Sequence, residues 1–372
     1  MKVGFVSRYP PVHCGIAEYT KMLSSAMRSL NPKVDVIVFA TEEARRNPYS
    51  DGIVEVYPCY SRFERDYSKL LDMLNDYKVD VLHVQHEYNI FGSNKELIEA
   101  LLKAKREGLA KIVGITMHTV DHPFSPRANV TLKFQSWLNE LDFIIVHSPL
   151  QEYELQIQGI DPQKINRIPH GTLINPHLCK TREELCESLG IEYDFDGVVL
   201  TIPGFIRRDK GFDVLFESLK ILKDIKFTLL IAGEPQEEEI VRLIETSEFK
   251  ITLMERYLSS DEILRAVALA DAIVLPYRDK RQYSVSGILH LSMGSLKPIV
   301  GTRVPRLIEF YQHAPRLTVP PGNPNALAEK IKWLINNYDY ALAYMTEVYS
   351  YAARTQWIRM ASRHIKTYMS LL

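Results

Sequence analysis

The sequence predicts an α/β protein made of two doubly wound, Rossmann-like domains. Apolar strands alternate with helices twice along the chain, in one series that begins at Val3 and a second that begins at Val198. Such alternation is typical of βαβ units and parallel sheets. The chain of 372 residues is also longer than one hydrophobic core usually organises. We therefore expect domains at residues 1–175 and 176–350, with residues 175–196 as the linker and entry into the second.

The individual elements follow from the apolar pattern. A β-branched run such as Val198–Ile202 indicates a strand covered on both faces. Apolar residues at helical spacing, such as Phe212, Leu215 and Leu219, indicate a helix. The first series then has strands at 3–7, 34–40, 79–85, 112–117, 143–147 and 165–168, and helices at 16–30, 66–74, 95–105 and 150–158. The second has strands at 198–202, 227–232, 251–254, 272–275 and 298–301, with helices from 211, 238, 261 and 287.

Composition and charge narrow the class of protein. With 45 Lys and Arg against 46 Asp and Glu, the net charge of -1 supplies no general attraction for nucleic acid or an anionic bilayer. The four cysteines form no CxxC pair and lack histidines at zinc spacing, which is typical of reduced thiols in a cytosol. The apolar run after Met1 is too short for a signal peptide or a membrane span. We expect a cytoplasmic protein that requires no metal or other cofactor.

The stretch Thr201–Glu217 combines a strand, a loop with three cations and a helix. Arg207, Arg208 and Lys210 stand within four positions, between Gly204 and the predicted helix. A helix N-terminus at the carboxyl end of a parallel strand already favours an anion, because its N–H groups are free and its dipole is positive there. The loop therefore predicts a phosphate site, and the alternative is that its basic side chains are simply solvated.

Polar residues after strands of the first series are further candidates. His86 and Glu87 follow one predicted strand, and His118 follows the next. Ligands of open α/β sheets bind at the carboxyl ends of strands, here in a cleft where two domains face each other. A single histidine in such a place is more often packed or capping than catalytic. Because two histidines occupy the same topological position here, an active-site role for one of them is as favoured as a structural role.

These motifs resemble the retaining group 1 transferases, glycosyltransferase family 4, which have the GT-B fold. In the second half the similar segments are GFIRRDKGFDVLFESL, LLIAGE, YLSSDEILRAVALADAIVLPY and SGILHLSMGSLKPIVGT. In the first half they are PPVHCGIAEYTKML, HVQHEYNIFG, ITMHTV and INRIPHGT. The last residues, 351–372, resemble the helix that crosses back onto the first domain. Five residues would pack there: Trp357, Ile358, Ala361, Ile365 and Met369.

The resemblance implies transfer of a sugar from a nucleotide sugar to an acceptor hydroxyl, with retained anomeric configuration. Positive charge is then needed at the leaving diphosphate, and no DxD motif argues for a metal. Lys210 matches the family's phosphate-binding lysine. The family's arginine would stand at Phe205, so Arg207 or Arg208 would have to replace it. Gly15 would let the first-domain loop approach the donor, unless it only forms a turn before the helix.

The family's pair of glutamates, E-x7-E, is missing. Its places are taken by Tyr283 and Leu291, which puts recognition of the sugar and the ribose in doubt. Gln282 or Tyr283 would have to substitute through hydrogen bonds. The turn between the two places remains and can still present backbone N–H groups to the donor: Ser284, Val285, Ser286, Gly287 and Ile288.

The remaining roles also come from the resemblance. His118 would hydrogen-bond the donor sugar, and His86 and Glu87 would face the acceptor. Glu87 would position or deprotonate the acceptor hydroxyl, with structural capping as the equal alternative. The nucleotide base would lie near Tyr257 and Leu258, with GDP-mannose slightly favoured over UDP-glucose.

The acceptor would be a sugar or a lipid-linked sugar. Contact with a membrane would be at most peripheral, through the basic, aromatic stretch Arg62, Arg65 and Tyr67, for which a solvated surface is favoured. The missing glutamates keep open a catalytically weak sugar-nucleotide-binding protein or partner subunit. A GT-B epimerase or phosphorylase is a minor alternative. The sequence carries no signal of oligomeric state.

Overall fold

A computed structural model of the chain describes residues 1–62 and 65–372. These residues form two compact units, which we call the first unit and the second unit. The first unit consists of Met1–Gly171, Arg281–Val285 and Trp357–Leu372, and the second of Thr172–Lys280 and Ser286–Gln356. The return of residues 281–285 to the first unit was not predicted from the sequence.

Strands and helices alternate through most of the described chain. In chain order the strands are β1 (Lys2–Ser7), β2 (Asp35–Thr41), β3 (Tyr49–Ser50), β4 (Glu55–Tyr60), β5 (Val79–His86), β6 (Ala110–Met117), β7 (Thr119–Val120), β8 (Phe143–Val146), β9 (Ile165–Arg167), β10 (Val198–Pro203), β11 (Phe227–Ala232), β12 (Ile251–Met254), β13 (Ala272–Leu275), β14 (Tyr283–Ser284), β15 (Ile299–Thr302) and β16 (Thr318–Val319). The helices are α1 (Gly15–Leu30), α2 (Ser68–Asp76), α3 (Tyr88–Phe91), α4 (Lys95–Arg106), α5 (Ala128–Ser136), α6 (Pro149–Ile157), α7 (Arg182–Leu189), α8 (Phe212–Ile221), α9 (Glu238–Glu245), α10 (Ser260–Leu269), α11 (Gly287–Met293), α12 (Ile308–His313), α13 (Pro324–Asn336), α14 (Tyr338–Arg354) and α15 (Trp357–Leu371).

The first unit is built on a mostly parallel sheet with the strand order β3-β4-β2-β1-β5-β6-β8-β9. The edge strand β3 runs antiparallel to β4. Between β1 and β5 the order reverses direction, which places the loops after those two strands at a topological switch point. A separate antiparallel ribbon joins β7 to β14, with Tyr283 opposite Val120 and Ser284 opposite Thr119. This ribbon explains why residues 281–285 belong to the first unit.

The second unit is built on a parallel sheet with the order β12-β11-β10-β13-β15-β16. This is the strand order of dinucleotide-binding domains, and its switch point lies between β10 and β13. The central strands are buried on both faces, as their continuous apolar sequences predict. The predicted fold class of two doubly wound domains is therefore confirmed.

Local sequence signals set several helix boundaries. Ser148, Thr181 and Ser259 form capping boxes at the starts of α6, α7 and α10, where each side chain accepts a backbone N–H at the third helical position. Gly190 ends α7 in the left-handed conformation. These caps satisfy backbone groups that would otherwise lack partners at the helix ends.

The C-terminal helix that we predicted at 351–372 begins six residues later in the structure, at Trp357. Residues up to Arg354 continue α14 in the second unit, and α15 begins at Trp357 in the first unit. Helix α15 packs against α1 with its buried face, which includes Trp357, Ala361, Ile365 and Tyr368. Ile358 and Met369, which we expected to pack, are 39% and 68% exposed. At 3.6 residues per turn both lie beside that face rather than on it.

Several elements were missed. The sequence pattern did not reveal α7, which lies inside the expected linker, and it also missed β3, β4, β16, α3, α5, α12, α13, α14 and the β7–β14 ribbon, while α2 begins at Ser68 rather than at 66. Most of these elements are too short to show a clear period. Among residues 1–62 and 65–372, no helix has both the length and the apolarity to span a membrane.

Candidate functional site

The candidate donor site of the second unit lies at the switch point of its sheet. The loop after β10 and the loop after β13 meet there, because these strands are neighbours. Gly204 has φ of +90°, and a Cβ at this position would lie 2.7 Å from Ile288 Cδ1 and 3.4 Å from Lys210 Nζ. Gly211 has φ of +74°, and a Cβ there would lie 2.0 Å from the Pro276 carbonyl oxygen. Glycine is therefore required at both places for the loops to approach each other.

Lys210 is the innermost cation of this site. It ends a 3-10 turn over Arg208–Lys210, directly before Gly211 and α8, and only 3% of it is exposed. Its Nζ donates a hydrogen bond of 2.6 Å to Tyr277 OH and lies 4.5 Å from the centroid of that ring. Burial, together with Arg207 and Arg306, lowers the pKa of Lys210 well below its usual value. An incoming anion would reverse that effect.

Asp209 collects further cations beside Lys210. Its Oδ1 lies 2.6 Å from Arg207 Nε, and its Oδ2 lies 2.8 Å from both Arg306 Nη1 and Lys280 Nζ. Burial alone would raise the pKa of Asp209, but Arg207, Arg306 and Lys280 outweigh it and lower the pKa to about 2. Three cations thus contact one carboxylate, with Lys210 beside them, and the excess positive charge suits a diphosphate.

The structure distinguishes Arg207 from Arg208. Arg207 lies in the cluster around Asp209, with 25% of its side chain exposed. Arg208 points outward and pairs with Glu239, both of them well exposed. Arg306 and Lys280 were not predicted from the sequence. Arg306 follows β15, a neighbour of β13, so a search for cations after every strand of the second series would have found it.

The predicted donor turn is divided between the two units. Tyr283 and Ser284 form β14, and together with Val285 they belong to the first unit. Ser286 caps α11 in the second unit: its Oγ accepts from Leu289 N at 3.2 Å and lies 3.1 Å from Tyr277 OH. Gly287 begins α11 and is exposed, and Ile288 lies over Gly204. The candidate residues of this turn therefore have different neighbours.

The candidate base site contains a pair of aromatic rings. The Tyr257 and Phe205 rings have centroids 6.1 Å apart and an interplanar angle of 39°. Phe205 thus provides an aromatic neighbour at the place where the family has its arginine. Leu258 is buried in the core of the second unit. Tyr257 and Phe205, both half-buried, offer apolar faces for a nucleobase.

In the first unit, Gly15 begins α1 after the switch-point strand β1. A Cβ at Gly15 would meet no described atom within 4 Å, and the residue does not have a positive φ. Cys14, at the N-cap, makes no side-chain capping hydrogen bond. Neither conformation nor packing among the described residues therefore demands a glycine at this position.

His118 is buried in a cluster of rings in the first unit. Its Nε2 lies 3.0 Å from the Gln85 side-chain amide, and its Nδ1 lies 3.3 Å from His147 Nε2. The Tyr19 ring packs edge-on against it, with centroids 4.6 Å apart. Burial, with His147 and other histidines, lowers the pKa of His118 well below its usual value. The imidazole is therefore neutral, and both nitrogens already contact the protein.

His86 and Glu87 have structural contacts. The His86 ring is fully buried and stacked on Phe134, and burial lowers its pKa to about 3. Its Nε2 lies 3.1 Å from the Gly92 carbonyl oxygen, and its expected position facing an acceptor stays a prediction. Glu87 caps α3, since its Oε1 accepts from Tyr88 N at 3.0 Å and its Oε2 accepts from Thr119 Oγ1 at 2.7 Å. These contacts match the capping alternative, with α3 as the capped helix.

A metal site does not emerge from the described part of the chain. Over those residues, no three His, Cys, Asp or Glu side chains are grouped to hold an ion. The cations around Asp209 are the charges that the second unit offers to an anionic ligand.

Comparisons with known proteins identify a family for both halves of the chain. Residues 197–337 match the family described as "Glycosyl transferases group 1", and residues 14–172 match "Glycosyltransferase Family 4". A sucrose-phosphate synthase from Thermosynechococcus elongatus has a similar structure, with a TM-score of 0.77, 17% identity and coverage of 100% of this chain and 99% of that one. Anabaena HepE, in complex with UDP-glucose, has a TM-score of 0.73 and 15% identity, with both chains covered fully at 100%.

A curated relative is the GDP-mannose:glycolipid 4-beta-D-mannosyltransferase of Xanthomonas campestris pv. campestris. It is 29% identical over 100 residues, which are 26% of this chain and 28% of the relative. The matched segment thus spans little more than a quarter of the relative's length. The two family matches fall on the two series of strands and helices, and the structural likeness extends over the whole chain. The chain therefore belongs to the group 1 glycosyltransferases, glycosyltransferase family 4, with the GT-B fold.

Proposed function

We propose that this protein transfers a hexosyl group from a nucleotide sugar to a hydroxyl group of a sugar or lipid-linked acceptor, with retention of the anomeric configuration. In this reaction the bond from the sugar C1 to the diphosphate oxygen breaks, and a bond from C1 to the acceptor oxygen forms. The acceptor proton leaves, and the nucleoside diphosphate carries away the electron pair. The observation that carries the proposal is the excess of cations around Asp209.

The cations around Asp209 would supply the positive charge that the leaving diphosphate needs. Negative charge develops on the diphosphate as the C1–O bond breaks, and preorganised positive charge stabilises it. Lys210 and Arg207 would contact the diphosphate, as would Arg306. In the absence of a ligand Asp209 balances part of their charge. The diphosphate would take over that role when it binds.

The donor that we favour slightly is GDP-mannose, with UDP-glucose next. The name of the curated relative includes GDP-mannose, and the similar HepE structure contains UDP-glucose. The rings of Tyr257 and Phe205 would stack with either base. The base edge would then decide the preference, through backbone N–H and C=O groups of the same loops.

A second candidate is a catalytically weak sugar-nucleotide-binding protein or partner subunit. It is favoured by one observation: Tyr283 and Leu291 stand where the family has its two glutamates. No carboxylate then reaches the sugar or ribose from those two positions. Such a protein would still bind a nucleoside diphosphate but would release none from a donor.

One experiment separates these possibilities. The purified chain is incubated with GDP-mannose, UDP-glucose or other nucleotide sugars, with and without sugar and lipid-linked acceptors. We expect acceptor-dependent release of GDP from GDP-mannose, and an α-linked product by NMR. Binding without release would favour the second candidate. Displacement of bound donor by UDP, but not by GDP at the same concentration, would exclude GDP-mannose, and an inverted anomer would exclude retention.

A further inference from the structure

Two arginines of the first unit contact one carboxylate at the edge of its sheet. Arg8 Nε and Nη2 donate to Glu43 Oε2 and Oε1 at 2.7 and 2.6 Å, and Arg62 Nε lies 3.1 Å from Glu43 Oε1. The side chains of Arg8, Glu43 and Arg62 are 13%, 23% and 32% exposed. Two guanidinium groups thus share a single carboxylate in a partly buried place that a solute can still reach.

The strand order of the first unit brings these three residues together. Arg8 directly follows β1, while Glu43 stands two positions after β2 and Arg62 two positions after β4. The strands are neighbours in the order β4-β2-β1 and run parallel, so their carboxyl ends lie at one edge of the sheet. Ligands of open α/β sheets bind at this edge, near a switch point such as the one beside β1. The arginines therefore stand where a ligand is expected.

A buried hydroxyl group near the arginines lacks a partner. Tyr60 ends β4, is 2% exposed and stacks on Phe91, with ring centroids 5.5 Å apart. Within residues 1–62 and 65–372, the Tyr60 OH makes no hydrogen bond. Arg8 and Glu43 are among the charges that act on this hydroxyl. A buried donor without an acceptor is costly, and an oxyanion bound by the arginines would bring an acceptor to it.

Arg8 is held in place and still has donors for such an anion. A guanidinium has five N–H groups in a fixed fork. Glu43 accepts from two of them, and the Cys14 thiol is a further neighbour of Arg8. Glu43 is fixed in turn by Thr41 Oγ1, which donates to Oε2 at 3.1 Å. Burial raises the pKa of Glu43, but its contacts with Arg8, Thr41 and Arg62 outweigh burial and lower that pKa, so Glu43 remains a carboxylate that orients Arg8.

We propose that Arg8 and Arg62 bind a phosphate group of the acceptor, which is then an anionic molecule: a sugar phosphate, or a sugar linked to a lipid through a diphosphate. This inference rests on the proposed function, because it assigns the bound anion to the acceptor of the transfer. Guanidinium forks match the oxygens of a phosphate, and two of them balance up to two negative charges. Arg62 then binds a ligand, in place of the solvated surface that its sequence context favoured.

Isothermal titration calorimetry tests this site without turnover. The probes are glucose 6-phosphate and farnesyl diphosphate, with glucose and farnesol as neutral counterparts, and saturating GDP is added to fill the cations around Asp209. We expect a phosphate probe to bind and its neutral counterpart not to bind. Binding of glucose 6-phosphate alone indicates a sugar phosphate as the acceptor, and binding of farnesyl diphosphate alone indicates a lipid-linked diphosphate.

Variants of the two arginines locate the binding. Arg8→Gln and Arg62→Gln should each weaken binding of the phosphate probe about tenfold or more, the order expected for one charge-assisted hydrogen bond. Thermal unfolding checks the fold, and the more exposed Arg62 keeps the test valid if Arg8→Gln does not fold. Arg28→Gln is the matched control, because Arg28 pairs with Asp35 elsewhere on the first unit, and it should bind like the parent.

Glu43→Gln separates a binding site from a structural ion pair. If the arginines bind an external anion, loss of the neighbouring negative charge should tighten binding about threefold to tenfold, and more at low salt. If they only hold the loops together, this variant should lower the unfolding temperature and leave binding of the probes unchanged, which overturns the inference.

Acceptor kinetics connect the site to the reaction. In the transferase assay, Arg62→Gln should raise KM for the acceptor and leave KM for the donor unchanged. Phosphate probes that do not bind the parent, or that bind the parent, Arg8→Gln and Arg62→Gln equally, overturn the inference. A parent without transferase activity overturns the proposed function, and the calorimetry then decides by itself whether the arginines form a phosphate site.

Discussion

Lys210 and Tyr277 are linked by a hydrogen bond of 2.6 Å inside the second unit, and the lysine nitrogen also lies over the ring at 4.5 Å. The lysine follows β10 and the tyrosine follows β13, the two strands on either side of the switch point. A buried ammonium beside Arg207 and Arg306 is electrostatically unfavourable until an anion arrives. The hydrogen bond holds the lysine in place for that anion.

The first prediction concerns the contribution of Lys210 to turnover. We expect Lys210→Met, which keeps most of the side-chain volume, to lower kcat by about two to three orders of magnitude. This is the range, roughly 3 kcal/mol, for removing one preorganised electrostatic contact from a transition state. Steady-state kinetics with the preferred donor measure it, and circular dichroism checks the fold.

Lys220→Met is the matched control, because Lys220 lies near the C-terminal end of α8, away from the loop that carries Lys210, and pairs with Glu217 on the surface. Its kcat should equal that of the parent. A Lys210→Met protein whose kcat stays within about twofold of the parent would remove Lys210 from the reaction.

The second prediction concerns proton uptake on binding. Burial and the neighbouring arginines lower the pKa of Lys210 well below its usual value, so without a ligand this lysine should release its proton at a lower pH than an exposed lysine does. A diphosphate at the same place should raise that pKa, so nucleoside diphosphate should bind with uptake of up to one proton. Calorimetry at about pH 8.5, where the diphosphate itself is fully ionised, in two buffers of different ionisation enthalpy measures the uptake. Equal heats in both buffers would contradict the prediction, and Lys210→Met should show them.

The third prediction distinguishes the arginines. Arg207→Gln and Arg306→Gln should each weaken binding of nucleoside diphosphate by roughly tenfold or more, the order expected for one lost charge-assisted hydrogen bond. Arg208→Gln should have little effect, because Arg208 pairs with Glu239 at the surface. Titration calorimetry of the three variants measures the difference. If only Arg208→Gln weakened binding, the contact with the diphosphate would belong to Arg208 and not to Arg207 or Arg306.

Much of the second unit could be predicted because its signals are local. The strand before Gly204, the cations after it and the helix after Gly211 stand together in one segment, and this motif identified Lys210. Arg306 lies far along the chain from that segment and reaches Asp209 only through the pairing of β13 with β15. Such a contact depends on strand order, which the alternation of strands and helices does not specify.

In the first unit, the contacts of the candidate site residues could not be predicted from the sequence. His118 and Glu87 both follow strands, as active-site residues often do, but their partners could not be read from spacing. The contacts of Glu87 with Tyr88 N and Thr119 Oγ1 depend on α3 and β7, which are too short to give a periodic signal. The neutral state of His118 depends on burial beside His147, a residue from another strand end.

The fourth prediction concerns Gly15. The described neighbours leave room for a Cβ, so Gly15→Ala should keep the parent's unfolding temperature. If the loop before α1 approaches the donor, the same variant should raise KM or lower kcat. Gly4→Ala is the contrasting variant, because its Cβ would lie 2.8 Å from the Phe39 ring and should lower stability. If KM and kcat were unchanged in Gly15→Ala, Gly15 would have no role in donor binding and would only form the first turn of α1.

The last prediction concerns acid stability of the first unit. His364, on α15, is fully buried, with its Nδ1 2.8 Å from the Met360 carbonyl oxygen, and burial lowers its pKa from 6.5 to about 4. Because the folded pKa is depressed, its stabilising contribution is complete above pH 6.5 and is lost as pH falls towards about 4. By linkage this one group should lower the free energy of unfolding by about 1.3 kcal/mol as the pH falls from about 7.5 to 5.5.

His364→Gln removes that titration, so the free energy of unfolding of this variant in urea should depend less on pH by about that amount. Ser370→Ala, on the exposed side of α15, is the control and should keep the parent's dependence, because a serine side chain does not titrate in this range. Equal pH dependence in the parent and in His364→Gln would contradict a neutral, buried His364.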